Sequence, residues 1–390
     1  MKSGSEPLQK SLSLKALYAL SAIAGIAIGL FNPMISVLLT DAQWSELDIG
    51  INSSLFFLCI TLAAPIARWL IRYKSPLFLV FTGLCLTAIA AMFFPYAKSD
   101  VLWNLLRALM GLGVGFYMVA GQILLLANAT ENQRTITASL HALAFGIGLG
   151  VGPLIGSFLY GISAPTTFIA GGLIVLTGVP LVYLINDVKG INIGRMKWKL
   201  ARKISIPLHA IFAYAIAEAT LMTLFPIYMM EKGHSLQVMS FVFSAFVVGG
   251  IIGTLPVAYL ADRIGNYLML GTCSIIGVLS ALGLVIATNT NMLVSLALLA
   301  GASLGPIYAL AMASIGGKLP ASDLAAGSML FTFCFGVGTT LAPWLSSLVM
   351  KSAGSEHLFN LSAILFISLL VHLLSSQLRF SPGVDQTKTE

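Results

Sequence analysis

The sequence is short of charge. Lys, Arg, Asp and Glu together make up 9% of its 390 residues, where a soluble globular chain carries roughly 25%. So few charges cannot clothe a 41.3 kDa body in water. The chain must present apolar surface to something apolar, and lipid is the candidate. Cysteine is scarce as well. Cys59, Cys85, Cys273 and Cys334 all fall inside apolar runs and no CxxC pair exists, so they read as small buried residues rather than metal ligands. Also missing are a phosphate-binding glycine loop and a nucleophile–base pair at motif spacing, which argues against an enzyme. No cofactor or metal is expected. The formal charge of +7 raises the question of nucleic acid, but the basic residues sit in short connectors between apolar runs, so none is expected as a partner.

What the sequence has is apolar runs. A spanning helix needs about 20 mostly apolar residues. Twelve such spans read at 14–39, 46–70, 76–95, 101–127, 135–159, 165–185, 205–230, 236–260, 267–287, 291–316, 323–350 and 356–378. The runs are long and continuous and do not alternate, so they are helices and not barrel strands. The first run follows Lys2, Lys10 and Lys15, is too long for a signal-peptide core and lacks a clear cleavage site. It reads as a retained span. With the N-terminus inside, seventeen Lys and Arg fall on inside segments against three outside, Lys98, Lys232 and Lys351. That asymmetry predicts both termini in the cytoplasm. The expected location is a bacterial cytoplasmic (inner) membrane.

The connector 186–204 is the longest and most basic. It divides the chain into an N-terminal six-helix bundle (1–185) and a C-terminal one (205–378), with a tail at 379–390. The connector is either a hinge-linker held inside by its charge or a basic segment lying on the anionic inner leaflet. The halves repeat at a nearly constant offset. Pro153 meets Pro343 190 residues on, Gly146 meets Gly336, Gly148 meets Gly338, Gly111 meets Gly301 and Gly115 meets Gly305, while Pro65 meets Pro256 at 191. Two such halves, each starting inside, are related by an axis along the membrane normal. That is a transporter plan, with the solute site between the halves at mid-membrane.

Three motifs carry a family likeness. Asp262-Arg263-Ile264-Gly265 lies in the loop between spans 8 and 9, whereas the corresponding first-half loop has Ile71 for the aspartate and Lys74 for the glycine. Arg107 heads a run through Gly111, Gly113 and Gly115 in span 4, and span 5 holds Gly148, Gly152, Pro153, Gly156 and Ser157. Over essentially its whole length the chain resembles the major facilitator superfamily. The resemblance implies an all-α fold of two pseudo-symmetric six-helix bundles. It implies a cavity lined by spans 1, 4, 7 and 10, and gating roles for Asp262, Arg263 and Gly265. The span 5 motif is associated in that family with antiporters, and the missing first-half aspartate puts an inside-closed lock at that loop in question.

Only two fully ionisable acid or base side chains lie deep in spans, Arg107 and Glu218. Either one unpaired in lipid would cost several kcal/mol, so they face a cavity, the bundle interior or each other. Glu218 can carry a proton, whereas Arg107 serves as electrostatic partner or anion ligand; a fixed ion pair between the two is the alternative. Asn32, next to Pro33, binds solute or satisfies a broken turn. Tyr117 and Tyr308 contact solute or simply pack. His141 and His209 relay protons or make structural hydrogen bonds. The glycines Gly148, Gly152 and Gly156 on span 5, and Ala245, Gly249 and Gly253 on span 8, make small-residue faces. The family places those spans against each other across the halves, where such faces could slide or merely pack.

The expected function is therefore a secondary active transporter, a proton-coupled exporter of a small amphipathic metabolite or drug-like compound, with siderophores among the candidates. Its partners would be the solute, protons and the bilayer, and it would act as a monomer. The alternatives are proton symport of a sugar or organic anion and, from another class, a membrane receptor or assembly factor on the same scaffold.

Overall fold

A computed structural model describes residues 5–129, 133–188 and 196–380. Lys2, the middle of the basic connector and the tail beyond 380 lie outside the described residues. Among those described there is no strand, and twelve helices are long and apolar enough to cross a membrane. The spans are Ser5–Asp41, Glu46–Leu70, Pro76–Phe93, Asp100–Asn128, Arg134–Tyr160, Ala164–Leu176 with Gly178–Val182, Ser205–Thr223 with Phe225–Glu231, Leu236–Ile264, Asn266–Ile286, Thr290–Gly316, Ala321–Ala353 and Asn360–Phe380. They are numbered 1 to 12 in that order. The end of the molecule that holds the 186–204 connector is the linker end, and the opposite end is the far end.

Short far-end loops work because the next helix begins at once with a side-chain cap. Ser45, Ser99, Ser163, Ser235 and Asn289 accept from the backbone N–H three residues on, opening spans 2, 4, 6, 8 and 10. Each cap satisfies a donor that a helix start leaves unpaired. Six spans run unbroken through an interior proline, at Pro33, Pro65, Pro153, Pro256, Pro306 and Pro343. Spans 6 and 7, which read as continuous in the sequence, are each in two segments. Span 7 breaks at Leu224, just before Pro226, which offers no N–H to carry the ladder on.

The two halves pack by the same scheme. Span 5 lies on span 1 and span 11 on span 7, span 4 lies on span 2 and span 10 on span 8, and spans 3, 6, 9 and 12 pack outside these pairs. Glycine sets how close the pairs come. A Cβ at Gly148 would run into Ala22 O, and one at Gly152 would lie 2.7 Å from Ile26 O. On span 8, a Cβ at Gly249 would meet Leu298 O, and one at Gly253 would meet Ala302 of span 10. This corrects the expectation that these faces meet each other. Each lies against a partner within its own half, where backbone-to-backbone contact needs residues without side chains.

Spans 5 and 8 do meet across the halves, through other residues. Ser240 Oγ donates to Pro153 O at 2.9 Å and Ser244 Oγ to Gly150 O at 2.6 Å, and a Cβ at Gly146 would lie 3.2 Å from Ile251. The second crossing, span 2 with span 11, repeats this pattern. Trp344 N donates to Ser54 Oγ at 3.0 Å, and Gly336 faces Thr61 as Gly146 faces Ile251. Ser54 and Ser244, like Thr61 and Ile251, stand 190 residues apart, so the sequence offset is a symmetry of the contacts. These crossings run from the far end to mid-span. The same faces continued toward the linker end are exposed, at Ser139 and Leu143 on span 5 and at Leu255 (79%) and Ala258 on span 8. The halves are joined at the far end and part at the linker end.

Candidate functional site

Span 4 brings Arg107 to the first half's interior because Gly111 and Gly115 fall on the same face at helical spacing. A Cβ at Gly111 would meet Phe56 O, and one at Gly115 would meet Ala63. With span 4 flush on span 2, the guanidinium lies over the Phe56 ring, 4.3 Å from its centroid. Nη2 donates to Asn32 Oδ1 at 2.6 Å. The Asn32 amide is held in turn by its Nδ2, which donates to Ile28 O at 3.0 Å. Arg107 is fully buried, and among the described residues its Nε and Nη1 have no hydrogen-bond partner and no carboxylate lies within 4.0 Å of it. One turn earlier Asn104 accepts from Asn52 Nδ2 at 2.9 Å, extending the polar layer.

The second half presents a carboxyl in an aromatic setting. Glu218 is half-buried on the first segment of span 7. One turn before it, Tyr214 donates its hydroxyl to Glu218 Oε1 at 3.1 Å. The Tyr214 ring stacks on Phe335 of span 11 with centroids 6.4 Å apart. Tyr308 of span 10, 41% exposed, meets Phe331 and Phe335 edge-on at 5.0 and 6.0 Å. Among the described residues no Lys, Arg or His nitrogen lies within 4.0 Å of the Glu218 carboxylate. The one acid–base pair found at that distance among the described residues is Lys197 with Asp323, at 2.7 Å.

Arg107 and Glu218 are therefore not an ion pair. Similar depth made pairing feasible, but each is engaged within its own half, Arg107 by Asn32 and Phe56, Glu218 by Tyr214. Asn32 does more than mend a turn, since its amide links the turn before Pro33 to the guanidinium. Tyr117 is buried, and its hydroxyl has no hydrogen-bond partner among the described residues. It lines a pocket between spans 1, 3, 4 and 5 with Ser21, Gln122 and His141, away from the Glu218 cage. His209 faces span 12. The sequence reading missed Tyr214, Phe56 and Phe335. Tyr214 was within reach, four residues before the only deep acid; the two phenylalanines carry no local signal.

The fold now has a counterpart among known proteins. The family model described as Major Facilitator Superfamily matches residues 17–204 and 208–388. The chain belongs to the Major Facilitator Superfamily. Its relatives include the uncharacterized MFS-type transporter YfkF of Bacillus subtilis, 24% identical over 88% of this chain and 90% of that one. Another is the uncharacterized MFS-type transporter YcaD of Salmonella arizonae, 22% identical over 89% and 92%. Among solved structures, a bacterial homolog of the human lysosomal transporter Spinster, inward-facing and unoccupied, superposes with a TM-score of 0.74 at 13% identity, covering 94% of this chain and 96% of that one. The nucleoside transporter NupG superposes at 0.77 with 10% identity, covering 93% and 99%. This superfamily chain is thus a multi-pass membrane protein of twelve spans and a secondary transporter of a small-molecule solute.

The superfamily motifs have clear local physics here. Gly265 ends span 8 at φ +98°, a conformation that favours glycine, and its N–H donates to Ala261 O at 2.8 Å. Arg263 lies over the Tyr259 ring, 4.4 Å from its centroid, and Asp262 is exposed beside it. Pro153 of the span 5 motif supplies the carbonyl that Ser240 reaches across the halves, while Gly152 and Gly156 take the contact with span 1.

Proposed function

We propose that the protein is a proton-coupled exporter, an antiporter of a small amphipathic metabolite or drug-like compound, siderophores included. The observation that carries this reading is Glu218, a half-buried carboxyl in an aromatic cage whose near partner is a neutral hydroxyl. With no cation to fix its charge, it can hold a proton in one state of the cycle and release it in another. Tyr308, Phe331 and Phe335 give the neighbouring wall an aromatic character suited to an apolar solute body. The span 5 motif supports export. The protein acts as a monomer, catalyses no reaction and needs no cofactor. The basic connector 186–204 separates the two bundles and marks the cytoplasmic side of a bacterial inner membrane, with both termini there. On that orientation the described conformation opens inward. Asp262, Arg263 and Gly265 serve the switch between states, and Arg107, Asn32, Tyr117 and Tyr308 serve solute.

A second reading, proton-coupled uptake of an organic anion, is favoured by one observation: the buried guanidinium of Arg107 has free donors and no carboxylate of its own. Counterflow in proteoliposomes against a library of metabolites tests both. Exchange of amphipathic cations or neutral compounds supports export of the first class. Exchange confined to carboxylates, lost in Arg107→Met, supports the second.

A further inference from the structure

A titratable pair lies outside the site. His209 of span 7 and His372 of span 12 face each other with Nδ1 to Nδ1 at 3.3 Å. Their ring centroids are 5.6 Å apart, longer than the nitrogen separation by about one ring radius on each side. The two nitrogens therefore meet head-on. Each outer nitrogen has a serine: His209 Nε2 lies 2.9 Å from Ser368 Oγ, and His372 Nε2 lies 3.5 Å from Ser205 Oγ.

The proton arrangement turns on Ser368. Its hydroxyl lies 2.8 Å from Leu365 O and 2.9 Å from His209 Nε2, and with its single hydrogen on the carbonyl it accepts from His209. In that arrangement His209 carries its proton on Nε2, and its Nδ1 presents a lone pair to His372. In the neutral pair His372 donates from Nδ1 to that lone pair, and Ser205 donates to His372 Nε2. One further proton fits at His372 Nε2, with Ser205 turning round to accept. This makes the central bond charge-assisted, hence stronger. A second added proton would have to go on His209 Nδ1, placing two N–H groups of two cations head-on, which like-charge repulsion opposes.

We propose that His209 and His372 form a one-proton site at the linker end that fastens span 12 to span 7. The site reads the pH of the linker-side compartment. His209 is four residues into span 7, about 6 Å from its linker-end start. Arg202 and Lys203 precede the span and are exposed. Span 11 contributes Cys334, whose Sγ donates to Leu208 O at 3.3 Å, and span 9 meets span 12 through Gly271 against Leu370 and Leu373. Glu218 is nine residues on from His209, two and a half turns, and so on the opposite face of span 7. The pair is separate from the cage and acts on the segment that carries it.

The test is histidine 15N NMR on the full-length protein in lipid nanodiscs, titrated between about pH 8 and 5. The expected result is a through-hydrogen-bond coupling between the two Nδ1 nuclei, His209 as the Nε2–H tautomer at the alkaline end, and one proton taken up by the pair instead of two. His372→Gln should leave His209 to take a full proton of its own. Ser368→Ala should let His209 populate the Nδ1–H tautomer, and it keeps the test open if His372→Gln does not fold. Two protons taken up independently, or a His209 signal unmoved by His372→Gln, overturns the proposal. So does a shift of both signals on adding Zn2+ alone at neutral pH, which would make the pair a metal site.

Discussion

At the residue scale, Arg107 and Glu218 pose opposite problems. Arg107 is a buried cation held by one amide oxygen and one aromatic face. Removing the amide should hurt more than removing the cation. Asn32→Ala should cost about 3 kcal/mol or more, because it strands a buried charge, whereas Arg107→Met leaves only the neutral Asn32 Oδ1 unpaired and should cost about 1–3 kcal/mol. Thermal unfolding in detergent checks the order, and an Arg107→Met protein less stable than Asn32→Ala would contradict it. Glu218 has a protonation state to change. Glu218→Gln mimics the protonated carboxyl and cannot release it. The variant should lose transport driven by a pH gradient while keeping solute–solute exchange in proteoliposomes. Full gradient-driven flux in Glu218→Gln would move the coupling elsewhere, with His141 next to examine.

At the element scale, close helix packing is the main determinant. Gly152 lies where a side chain would enter the backbone of span 1 at Ile26 and Leu30. Gly152→Leu should therefore separate spans 1 and 5 inside the first half, leaving the crossing of spans 5 and 8 less affected. Overpacking of this kind costs roughly 1–3 kcal/mol or more. Lowered thermal stability together with lost turnover is expected, and normal values of both would refute the tight contact. Gly265 differs because space is not its constraint: a Cβ there meets nothing, but φ is +98°. Gly265→Ala should cost about 1 kcal/mol through backbone strain, and should slow exchange between states more than it weakens solute binding. A binding loss with an unchanged exchange rate would argue against a gating role.

At the scale of the whole molecule, the halves are joined by the far-end crossings of spans 2 with 11 and 5 with 8. A Cβ at Gly336 would lie 3.4 Å from the Thr61 Cβ across the first of these, close to the separation a disulfide needs. In a background with the four native cysteines replaced, Gly336→Cys with Thr61→Cys should form a disulfide on oxidation and hold this crossing shut. Transport should fall to background and return on reduction. A cross-linked protein that still transports would show that this crossing does not open during the cycle. Reporter fusions at residues 98 and 197 should report opposite sides of the membrane, 197 being cytoplasmic; the same side for both would overturn the topology.

The sequence by itself determined the twelve spans and the two-fold repeat. Span length and scarcity of charge are local, additive properties that no tertiary contact alters. The offset of 190 residues was equally legible because duplication leaves matching residues in order. Tertiary structure decided which surfaces meet. The glycine faces of spans 5 and 8 were visible as stripes, yet a stripe does not name its partner, and both turned out to serve contacts within their halves. Arg107 and Glu218 were visible as the only deep charges, yet similar depth is not proximity. Their separation follows from where Asn32, Phe56 and Tyr214 stand on neighbouring helices. The His209–His372 pair, 163 residues apart, was beyond any local pattern, because two faces become neighbours only when the helices that carry them pack.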